Sequence, residues 1–119
     1  MPARVIGTAN AEHYTWGGAK AADADAWYLV QTPELNVIEE RMPSGIAETP
    51  HHHVRARQFF FVLEGELSMM VEHHDYTVRA GEGIEVSPGQ LHLAANRSDG
   101  VLRVLVTSQP PSHGDRVER

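Results

Sequence analysis

The chain has 119 residues with 16 acidic and 10 basic side chains, which gives a formal net charge of −6 when histidine is neutral. This length is typical of one domain with one core, and the 41% hydrophobic content excludes a disordered or fibrous chain. The acidic balance disfavours nucleic acid and anionic membrane surfaces as partners, and the absence of cysteine excludes thiol catalysis, thiolate metal sites and disulfides. Because no apolar run resembles a signal peptide or a membrane span, we expect a soluble cytoplasmic protein.

Eight short strand-like runs follow one another along the chain, separated by glycine, proline, serine and aspartate residues that favour turns. The runs are 27–31, 35–42, 58–63, 66–72, 76–79, 84–86, 91–96 and 101–107. This regular spacing predicts an all-β sandwich or barrel with little helix. We expect a single domain with an N-terminal arm at 1–25, a barrel at about 26–108 and a C-terminal tail at 109–119, since Pro110 and Pro111 cannot continue a strand ladder.

The run at 58–63 is apolar on both faces. Alternate side chains point to opposite sides of a strand. The two faces are Gln58, Phe60 and Val62 on one side and Phe59, Phe61 and Leu63 on the other. Since a single small barrel covers only its inside, the second face is predicted to contact a second sheet or another subunit.

Histidines are the main chemical signal in the sequence, which contains eight of them, including the consecutive His51, His52 and His53. On an extended strand His51 and His53 point the same way and His52 points the opposite way. His92 lies on a separate predicted strand, on a face of small residues that leaves room for a ligand. Three neutral imidazoles with a fourth oxygen ligand can hold zinc or another divalent transition metal. Solvated surface histidines or a hydrogen-bonded structural cluster are the alternatives at this point.

The intervals around the first histidines resemble the first motif of the cupin superfamily. That motif is glycine, five residues, H-x-H, three or four residues, glutamate, six residues and glycine. Gly45, His51 and His53 match it, and so does Gly65 at the end. Gln58 stands where the family pattern has glutamate.

The second cupin motif is glycine, five residues, P-x-G, two residues, histidine, three residues and asparagine. Its positions in this chain are Gly81, Ser87, Pro88, Gly89, His92 and Asn96, with serine replacing the first proline. The stretches 58–65 and 110–116 are also similar to those of small single-domain bacterial cupins, a label that specifies no reaction. The resemblance implies a cupin-type double-stranded β-helix, which is a jelly-roll barrel of two antiparallel sheets with a central metal, and frequently a homodimer.

The resemblance also implies the metal ligands. His51, His53 and His92 match three ligand positions, and Gln58 occupies the fourth. The expected cofactor is a divalent ion: Fe, Mn, Ni, Zn or Cu. An amide supplies a dipole instead of a charge, so Gln58 would lower metal affinity and leave the ion a stronger Lewis acid than glutamate would. Alternatively, Gln58 turns its NH₂ group toward a water or substrate and is not a ligand.

Three functions fit these residues. The first is a dioxygenase-like oxidoreductase acting on a small organic molecule. The second is a non-redox isomerase or lyase, which needs a base; Glu39, on one strand face with Arg41, is the predicted candidate, with a surface ion pair as the alternative. The third is a non-catalytic cupin that binds or senses a small ligand, which the neutral Gln58 favours.

Several polar residues are expected to have structural or solvent roles. His73 and His74 fall in a predicted hairpin turn and should be solvated. His13 and His113 lie in the arms, where contact with solvent or an interface is expected. Asn96 is expected to fix the backbone of its strand.

Overall fold

The computed structural model describes residues 2–16 and 24–118, so positions 17–23 of the predicted N-terminal arm lie outside the described residues. Every regular element in those ranges is a β-strand, and no helix there is long and apolar enough to span a membrane. The strands are β1 (Glu12–Trp16), β2 (Ala24–Gln31), β3 (Asn36–Met42), β4 (His51–His53), β5 (Arg57–Glu64), β6 (Glu66–Val71), β7 (His74–Arg79), β8 (Gly83–Val86), β9 (His92–Ala95), β10 (Leu102–Gln109) and β11 (Arg116–Glu118).

The strands form two antiparallel sheets. One sheet has the order β1-β2-β3-β10-β5-β8 and the other has the order β11-β4-β9-β6-β7. Because strands distant in sequence are neighbours in both sheets, the chain crosses repeatedly from one sheet to the other. This is the predicted jelly-roll barrel, and the all-β fold is confirmed.

Each of the eight predicted runs overlaps one strand, while β1, β4 and β11 were not among them. β1 pairs with β2 at the edge of the larger sheet, and β11 pairs with β4 at the edge of the smaller one. The segments expected as arms therefore each contribute an edge strand. A run of three to five residues is too short to show the alternation of polar and apolar residues that predicts a strand. The strands β1, β4 and β11 are instead defined by the strands with which they pair.

The hydrophobic core fills one end of the space between the sheets. It includes Phe60, Val62 and Met69, each at most 3% exposed. Fully burying such side chains stabilises the fold by about 1.5–3 kcal/mol each. Along β3, Met42 lies in this core, whereas Ile38 lines a cavity toward the other end. The core thus closes one end of the barrel and leaves the other end for a ligand.

The outer face of β5 remains open to solvent in the described chain. Phe59 is 43% exposed and Leu63 is 38% exposed. The smaller sheet packs on the opposite side of β5, against Phe60 and Val62. Two contacts were predicted for the outer face. The predicted contact with a second sheet is therefore wrong, and the contact with another subunit stays a prediction.

Candidate metal centre

Three predicted ligands converge from two neighbouring strands. His51 and His53 lie on β4 and point to the same side, and His51 is the register partner of His92 on β9. The ring centroids of His51 and His92 are 4.3 Å apart, and those of His53 and His92 are 5.5 Å apart. One potential ligand atom from each of the three lies within 4.8 Å of the others. These histidines could therefore hold a metal ion between them.

Backbone carbonyls orient two of these imidazoles. His51 Nδ1 lies 2.8 Å from the Thr49 carbonyl oxygen, and His92 Nδ1 lies 2.9 Å from that of Gln90. A carbonyl only accepts hydrogen bonds, so each Nδ1 carries the proton and each Nε2 carries a lone pair. His92 Nε2 is buried and has no hydrogen-bond partner among the described residues. A buried lone pair of this kind suits a metal ion.

The surroundings of the cluster keep its imidazoles neutral. Burial lowers the pKa of His51 and of His92. For His53, burial together with the neighbouring His51 and His92 lowers the pKa to about 4. Only the neutral imidazole offers a lone pair to a metal, so the three rings are in the binding form at neutral pH.

Gln58 presents a free carbonyl oxygen. The residue is 6% exposed, and its Nε2 donates a hydrogen bond to Ser108 Oγ over 3.0 Å. Its Oε1 is buried without a partner in the described part of the chain. With the NH₂ group bonded to Ser108, the oxygen is the atom available to a ligand, which favours ligation over the alternative in which the NH₂ group faces substrate. The orphaned Gln58 and His92 atoms fit the donor set of a divalent ion.

A cavity of about 550 Å³ adjoins the cluster, and His51, His53 and Gln58 form part of its wall. Its apolar wall includes Trp16, Ile38, Phe60 and Val106. Its polar wall includes Tyr14, Glu40, Glu48, Thr49 and Arg116. A volume of this size accommodates a small organic molecule, with the apolar side giving affinity and the polar groups giving orientation.

Glu39, the predicted candidate base, does not face the cavity; it forms an ion pair, as the alternative had it, although its partner is Arg103. Its carboxylate accepts two hydrogen bonds from Arg103, at 3.1 Å from Nε and 2.9 Å from Nη2, and it lies outside the cavity. Arg41, which was expected on the same strand face as Glu39, pairs with Asp25 at 3.4 Å. Glu40 is the β3 carboxyl that lines the cavity. Glu40 lies two residues after Ile38, so the two side chains share a face of β3. An apolar Ile38 on the inner face could have indicated from the sequence that Glu40 points inward.

Two of the carboxyls that line the cavity, Glu40 and Glu48, hold their protons more tightly than ordinary glutamates. Burial, assisted by the negative charge of Glu48, raises the pKa of Glu40 to about 8, although Arg116 opposes the shift. Burial also raises the pKa of Glu48, against a hydrogen bond of 3.0 Å from the Ala94 N–H to Oε1 and the charge of Arg116. Glu40 is therefore largely a neutral acid at pH 7, able to donate a proton or a hydrogen bond.

The terminal segments complete the cavity, which the sequence did not predict. Tyr14 on β1 and His113, just before β11, both line it. His113 was expected at solvent or an interface; its Nδ1 lies 3.0 Å from the Tyr28 hydroxyl, which joins it to the larger sheet. Residues from two chain ends carry no shared motif, so only the fold could reveal their proximity.

The remaining polar residues have the structural roles expected of them. His73 is exposed in the turn between β6 and β7, and His74 is the exposed first residue of β7. His13 is exposed and lies 2.7 Å from Asp25. Asn96 is fully buried, and its Nδ2 donates to two backbone carbonyl oxygens, one of them from Met42 at 2.7 Å. Its predicted role in fixing the backbone is confirmed.

Comparison with known proteins agrees with this architecture. The family model described as a cupin domain matches residues 37–108. An uncharacterized protein of Methanocaldococcus jannaschii is 28% identical over 81 residues, which cover 67% of this chain and 65% of the relative. The chain thus spans just under two thirds of that relative's length.

Solved structures share the fold at low sequence identity. An RmlC-like cupin from Shewanella frigidimarina has a TM-score of 0.79 at 22% identity, covering 95% of this chain and 96% of that one. A predicted oxalate decarboxylase from Thermotoga maritima has a TM-score of 0.79 at 14% identity, covering 91% and 100%. A sugar phosphate isomerase of the cupin superfamily from Silicibacter pomeroyi has a TM-score of 0.77 at 18% identity, covering 91% and 76%. Since the family match spans more than half of the chain and the two-sheet fold agrees with it, the protein belongs to the cupin family.

Proposed function

We propose that this cupin binds a divalent transition metal ion (Fe, Mn, Ni, Zn or Cu) and acts on a small organic molecule. His51, His53 and His92 would hold the ion, with Gln58 Oε1 as the fourth ligand. The observation that carries the proposal is that two buried atoms, His92 Nε2 and Gln58 Oε1, have no hydrogen-bond partner among the described residues. His92 belongs to the histidine cluster, and Gln58 lines the same cavity as the other two histidines. When bound, the ion would supply positive charge that polarises an oxygen atom of the substrate.

The cavity favours a small substrate that carries both oxygen atoms and an apolar part. Its lining mixes polar groups such as Glu40 with apolar ones such as Ile38, and it includes His51 and His53. Three imidazoles and an amide leave the ion its full double charge, because none of the four ligands is anionic. An anionic or enolisable oxygen group would therefore bind better than a neutral ether.

The first candidate reaction is a dioxygenase-like oxidation of such a molecule. The histidine cluster borders a cavity that can admit substrate and O₂ together, which supports this reading. An isomerase or lyase reaction is the second candidate, favoured by the Glu40 carboxyl in the same cavity. Both reactions need the protein to orient the substrate oxygen and to exclude bulk water.

Metal binding is tested by elemental analysis of untagged protein purified from cells grown with mixed metals. We expect about one ion per chain in the wild type and almost none in His92→Ala, which lacks one nitrogen ligand. His73→Ala serves as a matched control because His73 is exposed in a turn. Equal metal content in the His92→Ala protein and the wild type would contradict the proposed site.

The reaction class is tested by oxygen uptake with enolisable diketones, catechols and flavonols. Uptake that needs both metal and substrate supports the dioxygenase reading, and turnover without oxygen consumption assigns the isomerase or lyase reading. Thermal stabilisation by metal and a small acid, without turnover of any compound, would instead assign a non-catalytic binding or sensing role.

We also propose that the protein acts in the cytoplasm as a homodimer. The exposed Phe59 and Leu63 on the outer face of β5 support a subunit contact there. Sedimentation of the wild type and of Phe59→Ser tests this proposal. A wild type that sediments as a monomer at micromolar concentration would contradict it.

A further inference from the structure

Two adjacent glutamates on β3 have opposite surroundings. Glu39 points out of the barrel, and its carboxylate is held by two hydrogen bonds from Arg103. Glu40 points into the cavity, and its carboxyl has neither a hydrogen bond nor an ion pair within residues 2–16 and 24–118. Of two adjacent glutamates on one strand, Glu39 is thus held in an ion pair, whereas the Glu40 carboxyl is available to a molecule in the cavity.

Glu40 shares the cavity with the predicted metal ligands His51 and His53. The charged and titratable groups that act on Glu40 are Glu48 from the segment between β3 and β4 and Arg116 from β11, while Glu40 in turn acts on Tyr14 of β1. A molecule in the cavity can therefore contact the metal cluster and the Glu40 carboxyl together.

We propose, on the basis of the proposed function, that Glu40 is the catalytic proton-transfer residue of this cavity and that the substrate is a small enolisable carbonyl compound. The free carboxyl faces the same space as the metal cluster, so it is placed to exchange a proton with a carbon next to a carbonyl whose oxygen binds at the cluster.

The proposed step moves one proton and needs no further reactant. In the forward direction, the ionised Glu40 carboxylate takes the proton from the carbon adjacent to the carbonyl. The electron pair of the broken C–H bond forms the C=C bond of the enolate, and the carbonyl electron pair moves to oxygen. In the reverse direction, the Glu40 O–H bond breaks and a C–H bond forms on a carbon of the enolate, which restores a carbonyl. Return of the proton to the same carbon completes an exchange. In a substrate with a hydroxyl on that carbon, the hydroxyl proton first moves to the enolate oxygen, and return of the Glu40 proton to the former carbonyl carbon then isomerises the substrate.

The raised pKa of Glu40 supports this role. Burial raises the pKa of Glu40 to about 8, so its acid and base forms are both accessible near neutral pH. A proton-transfer group works best when its pKa is close to the working pH. A surface carboxylate with an ordinary pKa would be a weaker base and would rarely carry the proton.

Neighbouring groups are less suited to the same task. Glu48 Oε1 already accepts a hydrogen bond from the Ala94 backbone N–H over 3.0 Å. His113 lies 3.0 Å from the Tyr28 hydroxyl through its Nδ1. Burial raises the pKa of Tyr14 above its ordinary value, so its phenolate is scarce at neutral pH. Glu40 is the least engaged of these cavity groups.

The decisive experiment compares Glu40→Gln with Glu39→Gln, its neighbour outside the cavity. Metal-loaded proteins are incubated in D₂O with pyruvate or dihydroxyacetone as probes, and the loss of the C–H signals is followed by proton NMR. We expect the wild type and Glu39→Gln to catalyse exchange of at least one probe, and Glu40→Gln to be slower by about 10²–10⁴-fold. Exchange by Glu40→Gln at the wild-type rate, or no exchange of either probe by the wild type, would overturn the inference.

Metal content distinguishes this inference from the proposed function. If all three proteins bind metal and Glu40→Gln still catalyses hydrogen exchange at the wild-type rate, the proposed role of Glu40 is rejected and the proposed metal site is retained. If the wild type binds no metal, the proposed function itself fails.

A second measurement does not depend on activity. In protein labelled with carbon-13 at the glutamate carboxyls, one signal should titrate well above the others in the wild type and Glu39→Gln and be missing from Glu40→Gln. A Glu40 signal that titrates with the surface carboxyls would overturn the inference. Glu40→Asp, which keeps a carboxyl, should exchange faster than Glu40→Gln, and this comparison holds if Glu40→Gln proves too unstable.

Discussion

The two ends of the barrel bury polar side chains in different ways. At the closed end Asn96 is 0% exposed, and every polar group of its side chain is paired: its oxygen accepts from Ser98, and its NH₂ group donates to the carbonyl oxygens of Met42 and Gly100. At the open end His92 is 1% exposed, yet its Nε2 has no partner among the described residues. Equal burial therefore accompanies satisfied polar atoms at one end of the barrel and an atom available to a ligand at the other.

The largest effect should come from removing a ligand at the open end. His92→Ala should weaken metal affinity by about 10³-fold, because one of three imidazole donors is lost. Its unfolding free energy without metal should fall by about 1–2 kcal/mol, because the buried ring and its Nδ1 hydrogen bond to the Gln90 carbonyl are lost. Competition titration against a chromogenic chelator measures the affinity. A change below tenfold would place the metal elsewhere.

Removing the paired residue at the closed end should have the opposite pattern. Asn96→Ala should lower the free energy of unfolding by about 3 kcal/mol, because it removes the buried hydrogen bond to the Met42 carbonyl and the partly buried one to the Gly100 carbonyl. Metal affinity of the folded protein should remain near the wild-type value. Urea unfolding and the same chelator titration provide both numbers. A stable variant with weakened metal binding would reverse the assignment of the two ends.

The free carboxyl of the cavity should make stability depend on pH. Burial raises the folded-state pKa of Glu40 from 4.5 to about 8, so the folded protein holds this proton more tightly than the unfolded chain. The stability contributed is complete below pH 4.5 and is lost as the pH rises through 8. Glu40→Gln cannot titrate, so its unfolding free energy should gain about 2 kcal/mol over the wild type between pH 5 and 8, allowing for partial exposure. Parallel pH curves for the two metal-free proteins, with Glu39→Gln as control, would contradict the raised pKa.

The smallest effect should come from restoring the family's acidic ligand. Gln58→Glu adds a negative charge beside the histidines and should tighten metal binding by about tenfold. The gain is limited because the new carboxylate must be buried. Isothermal titration with Zn²⁺ measures it, and Gln90→Glu in the turn before β9 is a control for added charge. Unchanged affinity would show that the side chain at position 58 does not ligate.

Motif spacing predicted much of the fold and of the site. The intervals from Gly45 to Asn96 indicated a jelly roll, and the alternation of His51 and His53 placed two imidazoles on one face. Both signals are local, because the period of a strand fixes the direction of each side chain relative to its neighbours. That logic located three histidines that the structure brings together.

Local pattern failed where the answer depended on pairing between strands. The face of β3 that meets the core decides whether Glu39 or Glu40 points inward. Glu39, the candidate base named from the sequence, lies on the outer face. The short edge strands β1 and β11 exist through their pairing with β2 and β4.

The residue pattern was enough to predict a two-sheet cupin barrel and a histidine set with a neutral glutamine at the position of the family's acidic ligand. The groups that surround that set became visible in the folded chain, where Glu40 faces inward, the Gln58 NH₂ group bonds to Ser108, and Tyr14 and Arg116 line one cavity although they are distant in sequence. The reason is physical, because residue spacing encodes side-chain direction along one strand, whereas pKa values and free lone pairs depend on neighbours that are distant in sequence.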